Sequence, residues 1–145
     1  MQYNTSIKGD YKKIMNKEKK EGVSNAWQGV VLEESLSDKS LLDMVTIVGT
    51  NVSKLESEDR VMTFHQVEVS ASSEQEYVAK AMKSIKPAFY THLCRDGHMT
   101  VIFQGRTFSF VEGDPQLTEA INYGKSVGII PEQMPFQHLI TNPFD

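Results

Sequence analysis

Hydrophobic and polar positions along this chain fall into two rhythms. In Trp27–Leu36 (WQGVVLEESL), Met44–Leu55 (MVTIVGTNVSKL) and Val61–Val69 (VMTFHQVEV), β-branched and aromatic residues dominate, which predicts three strands. Ser57 to Arg60 (SEDR) reads as the turn between the last two. Asp38 to Asp43 reads as a helical turn with Ser37 or Asp38 as N-cap. Over residues 74–86 the spacing changes. Tyr77, Val78, Ala81, Met82 and Ile85 recur at three and four, a helix that Pro87 stops. Ser72 with Gln75, or Ser73 with Glu76, makes a capping-box pattern at its start. A second helix opens at Asp114-Pro115 with Leu117, Ala120, Ile121, Gly124 and Val127 as its apolar face, and Gly128 closes it. The tail contains Pro131, Pro135 and Pro143 and should cross the body as irregular structure.

Between the helices, residues 88–111 (AFYTHLCRDGHMTVIFQGRTFSFV) form a three-stranded meander. Asp96-Gly97 suits a two-residue type I′ turn, which needs positive φ at both positions. Gln104-Gly105 marks a second turn. These turns fix the register: Arg95 opposite His98, His92 opposite Val101, Tyr90 opposite Phe103, and Phe103 opposite Arg106. One face then carries Tyr90, His92, Cys94, Met99, Val101, Phe103, Arg106, Phe108 and Phe110, and should be core. The other carries Phe89, Thr91, Leu93, Thr100, Ile102, Thr107, Ser109 and Val111, with no charge. Such a face suits a second sheet, a second subunit or a neutral ligand; equally, threonine is a good residue for a half-exposed strand.

The element order is β-β-β-α-β-β-β-α. It predicts a single α+β domain with an antiparallel sheet of about six strands and both helices packed on one side. Its boundaries are 26–145, preceded by a Lys-rich N-terminal arm over 1–25.

Charge sharpens that division. The arm holds six lysines and three acids, a net of +3, and the remaining 120 residues carry a net of −7. The arm reads as a solvated segment or as a contact for an acidic partner. An overall charge of −4 argues against a nucleic-acid partner. No apolar run approaches the roughly 20 residues that span a bilayer. The N-terminus shows no signal-peptide core, so no membrane partner and a cytoplasmic location are expected. Cys94 is the single cysteine, which excludes an internal disulfide and any multi-thiolate zinc site.

Candidate chemistry is sparse. His65 shares a strand face with Val61, Thr63, Val67 and Val69, as a hydrogen-bonded core histidine or as a general base. Glu33 and Glu34 are adjacent, so on a strand they would point to opposite faces. Lys39, Arg106 and His65 are the available partners for whichever turns inward. The four histidines show no ligand spacing, and neither a metal nor a cofactor is expected. His98-Met99-Thr100 matches the His-x-Thr of two-histidine phosphoesterases, but the second copy is missing. Phosphate-loop and nucleophile-elbow motifs are absent.

The segments WQGVVLEESL, DKSLLDMVTIVGT, FHQVEV, IFQGRTF and YGKSVGIIPEQ together resemble a group of small prokaryotic proteins without a settled activity. The resemblance spans about 27–133 and implies a compact α+β domain. A small acidic domain of this type also suits a phage or mobile-element inhibitor that works by binding. The functional expectation is a non-enzymatic binding module, a homodimer being one arrangement that fits. It would hold a protein partner or a small molecule. A nucleotide-like ligand would stack on Trp27 or Tyr90 and meet Arg106 and His65 with its phosphate, with Thr91 and Thr100 on the neutral face. The alternative is a small hydrolase or lyase with His65 as general base, oriented by Glu34.

Overall fold

The computed structural model describes residues 26–55 and 60–145. The Lys-rich arm and most of the Ser57–Arg60 turn lie outside the described residues. Six antiparallel strands form one sheet: β1 (Trp27–Leu32), β2 (Thr46–Leu55), β3 (Arg60–Val69), β4 (Tyr90–Arg95), β5 (His98–Phe103) and β6 (Arg106–Val111). Helix α1 (Glu74–Ser84) follows β3, α2 (Gln116–Ser126) follows β6, and the tail adds the single turn α3 (Phe136–Leu139). The fold is α+β, in the order the sequence rhythm predicts.

The meander has the register its turns demand. Arg95 pairs with His98, His92 with Val101, Tyr90 with Phe103 and Phe103 with Arg106. Asp96 and Gly97 take φ of 50° and 79°, as a type I′ turn requires. In the second turn only Gly105 has positive φ. Caps follow the sequence in part. Asp38 accepts from the Ser40 amide at 3.0 Å, Asp114 accepts from the Gln116 amide at 3.0 Å, and Gly128 closes α2 at φ 101°. The capping box before α1 does not form. The Ser70 hydroxyl bonds to those of Ser72 and Ser73, and the chain enters the helix through a 3-10 turn over Ala71–Ser73.

The strand order is β2-β3-β1-β4-β5-β6, so the first strand sits in the middle and joins two three-stranded halves. Its seam with β4 is short: Gln28 with Cys94, Gly29 with Leu93, Val30 with His92. A side chain at Gly29 would run into the His92 carbonyl, so only glycine permits that approach.

The helices occupy opposite faces of the sheet, not one side. α1 lays Tyr77 and Ala81 against Val31, Val67, Val69, Leu93 and Ile102. α2 lays Ala120 on the other face, with Met99, Val101, Phe103, Phe108 and Phe110, and the tail completes that core with Met134, Phe136, Leu139 and Ile140. The charge-free face of the meander explains the difference. Its Leu93 and Ile102 are fully buried and need an apolar cover, which α1 supplies. Its two buried threonines are satisfied internally. Thr91 Oγ1 donates to the Val30 carbonyl at 2.7 Å, and Thr100 Oγ1 lies 3.1 Å from Ser109 Oγ. Among the described residues, no helix is long and apolar enough to cross a membrane.

Candidate functional site

The pocket expected from Trp27, His65, Tyr90 and Arg106 does not assemble. Trp27 and His65 point to the α1 face, from opposite ends of the β1–β3 ladder: Trp27 pairs with Val69 and Val31 with His65. Tyr90 points to the α2 face, where its hydroxyl donates to the Gln133 carbonyl at 2.7 Å. Arg106 is exposed, with its guanidinium over Phe108 at 4.6 Å and Tyr123 at 5.0 Å. Trp27 is capped instead by Arg95, 4.9 Å from its ring centroid. Thr91 and Thr100 are buried beneath α1, away from any ligand. The β1–β4 register, which no local pattern encodes, pairs Gly29 with Leu93 and so puts Trp27 and His65 on the face opposite Tyr90 and Arg106.

A different cluster forms where β1 ends. The strand stops at Leu32, and Glu33–Ser35 make a 3-10 turn. The turn breaks strand alternation, so both glutamates reach β3. Glu34 accepts from the Thr63 amide at 2.7 Å and from Thr63 Oγ1 at 2.9 Å. Its carboxylate thereby replaces the backbone acceptor that β1 no longer supplies. Burial pushes the Glu34 carboxyl up, but the hydrogen bonds from Thr63 outweigh it and hold the group below the usual range.

His65 is held by Glu33, not by the Glu34 expected to orient it. Glu33 Oε1 lies 2.8 Å from Nε2, and Lys39 Nζ stands 3.6 Å from the other carboxylate oxygen. The hydrogen bond from His65 is the main reason that the Glu33 carboxyl sits below the usual range. On the far side of the ring, Thr50 Oγ1 lies 2.9 Å from Nδ1. The imidazole is thus bonded at both nitrogens, with its side chain one-tenth exposed.

A β-bulge places Thr50 there. Ile47 pairs with Val67 and Gly49 with Gln66, leaving Val48 as an extra residue in β2. Without it Ile47 and Thr50 would lie on opposite faces; with it both lie on the His65 face. Beyond the bulge, Val52 pairs with Thr63 on that same face, and Val61 follows on β3. Ile47, Val52 and Val61 are 44%, 62% and 48% exposed, so a strip of bare β-branched side chains flanks the polar cluster.

The remaining histidines stand apart. His92 is buried, with Nε2–H donating to the Pro143 carbonyl at 2.8 Å. Burial pushes its pKa down to about 4, against the smaller effect of that hydrogen bond. Cys94 is buried among the α2-face core, with its thiol pushed up to about 12 by burial, which suits packing and not nucleophilic chemistry. His138 Nε2 lies 2.9 Å from Asp145 Oδ2 at the surface.

Glu33 takes two of the partners that the sequence offers to an inward-turned glutamate, His65 and Lys39, whereas strand alternation alone does not single out Thr50. Gly49 was the available signal, because a glycine inside a strand often marks a bulge. No protein family, curated protein or solved structure matches the chain.

Proposed function

We propose that this chain is a binding module whose partner is a protein, taken as an extended segment along the outer edge of β2. The observation that carries this reading is the composition of that edge. β2 ends the strand order and pairs with β3 alone among the described strands. It runs for ten residues with a single charged side chain, Lys54. Natural sheet edges are usually short, charged or covered, because a bare edge accepts another strand. The opposite edge, β6, is six residues long and lies beside α2. A segment added to β2 would gain main-chain hydrogen bonds there and apolar contacts at Ile47 and Val52. Because residues 46–53 carry no charge, the segment that fits is neutral and rich in β-branched or hydroxyl residues.

A small-molecule reading has less support. Among the described residues, one concavity, lined by Pro87, Ala88, Phe103, Gln104, Tyr123 and Val127, has about 60 Å³. Small-molecule sites run from about 300 Å³ upward. An inhibitor that works by occupying its target is one form of the module proposed.

The test is site-specific photo-crosslinking from position 52 of the full chain in its producing cells. A discrete adduct with another protein, lost on Ile47→Lys, supports the reading. It should be accompanied by slowed amide exchange in β2 of the purified complex. Adducts of the chain only with itself would replace the partner by a second copy. The absence of any adduct would overturn the edge as a binding surface.

A further inference from the structure

We propose that Thr50, His65 and Glu33 form a nucleophile relay for acyl transfer from esters, with Thr50 Oγ1 as the attacking atom. A neutral imidazole ring donates from one nitrogen and accepts at the other. The Glu33 carboxylate, 2.8 Å from Nε2, only accepts, so Nε2 carries the proton. Nδ1 keeps its lone pair, and the Thr50 hydroxyl, 2.9 Å away, donates to it. A hydroxyl bonded to a base that is itself oriented by a carboxylate is the arrangement that activates serine and threonine nucleophiles. Here the two ring nitrogens exchange their usual places.

Accessibility divides as this chemistry needs. Thr50 is exposed, on an open sheet face that a substrate carbonyl can approach. His65 is nearly buried, which keeps its ring aligned and shields the proton transfer from solvent. Glu33 is further set by Lys39. Thr50 lies on an exposed stretch of sheet, so the class that fits is an acyl donor already activated by its leaving group, an aryl ester or a thioester.

The step balances within these residues. The Thr50 oxygen bonds to the acyl carbon as its proton passes to His65 Nδ1. The bond from the acyl carbon to the leaving oxygen or sulfur breaks, and that atom takes the proton from Nδ1. Water then attacks the acyl-threonine, with Nδ1 accepting its proton and returning it to Thr50 Oγ1. Imidazolium formed in between is paired with Glu33. The proposal does not depend on the strand-edge reading, and its test needs no protein partner.

The probes are a fluorophosphonate, followed by intact mass and peptide mapping of the full chain, and p-nitrophenyl acetate, followed by nitrophenolate release. One phosphonyl group per chain is expected on Thr50, with fluoride as the leaving group. Labelling should be lost in Thr50→Val, slowed about a hundredfold in His65→Gln, and slowed less in Glu33→Gln. Ester turnover should fall in the same order. Thr50→Val keeps the side-chain shape on an exposed residue, so its circular dichroism should match that of the parent, with only a small drop in melting temperature from the lost bond to His65. A label on another residue, equal labelling of Thr50→Val, or no label at all would overturn the assignment.

Discussion

The two halves of the sheet are built on different terms. The β4–β5–β6 meander is covered twice, by α1 on one face and by α2 and the tail on the other, and its strands carry eight of the buried core side chains. The ribbon of β2 and β3 runs past the end of β1. There it exposes valines and closes its polar groups through Glu33, Glu34, Thr50, Thr63 and His65. Burial of apolar area stabilises the first half, and a hydrogen-bonded cluster shapes the second. In the second half, therefore, the exposed strip of Ile47, Val52 and Val61 adds little to stability and leaves a surface open to recognition.

The change with the largest effect attacks the seam between the halves. Gly29→Ala places a methyl against the His92 carbonyl, and backbone cannot step aside as a side chain can. We expect a loss of about 4 kcal/mol or more, seen as unfolding well below the parent midpoint in urea. An unchanged midpoint would mean that the seam is looser than its glycine implies. Next comes the doubly covered half. Phe103 is buried and packs edge-on against Phe108 and Tyr123 at 5.9 and 4.9 Å. Phe103→Ala should cost about 3–5 kcal/mol in the same titration.

The pH response belongs to the same half. His92 is neutral in the fold with a pKa near 4, against an ordinary value of 6.5. Between those values the unfolded chain binds more protons than the folded one, so stability rises with pH. Full stability is present above about pH 6.5 and is lost as pH falls toward 4, by of order 3 kcal/mol at about 1.4 per pH unit. Urea midpoints across that window should show the slope, and His92→Asn should flatten it. The smallest effect is expected on the ribbon. Val52→Ala removes a side chain that is mostly in water and should move stability by no more than about 0.5 kcal/mol. If Val52→Ala proved as costly as Phe103→Ala, the contrast between the halves would collapse.

What was legible in the sequence follows how locally each feature is encoded. The meander register could be worked out pair by pair, because Asp96-Gly97 and Gln104-Gly105 each set a two-residue connection. Helix faces and the closing glycine of α2 were equally local. The cover of the Thr91–Thr100 face was not, since a neutral face does not say which element lies on it. Nor was the β1–β4 register, which puts Trp27 and His65 on the face opposite Tyr90 and Arg106. Strand alternation carried through to Leu36 gives Glu34 the role that Glu33 plays; the 3-10 turn at Glu33–Ser35 instead lets both carboxylates reach β3, Glu33 at His65 and Glu34 at Thr63.

The bulge at Val48 makes β2 sensitive to counting. A strand that holds one surplus residue presents Ile47 and Thr50 together; deletion of Val48 would put them out of phase. The ribbon would keep its composition and most of its ladder, yet either Thr50 would leave the His65 ring or Ile47 would leave Val67. Chain length in this strand is therefore a coordinate of the site, as much as the identity of the residues in it.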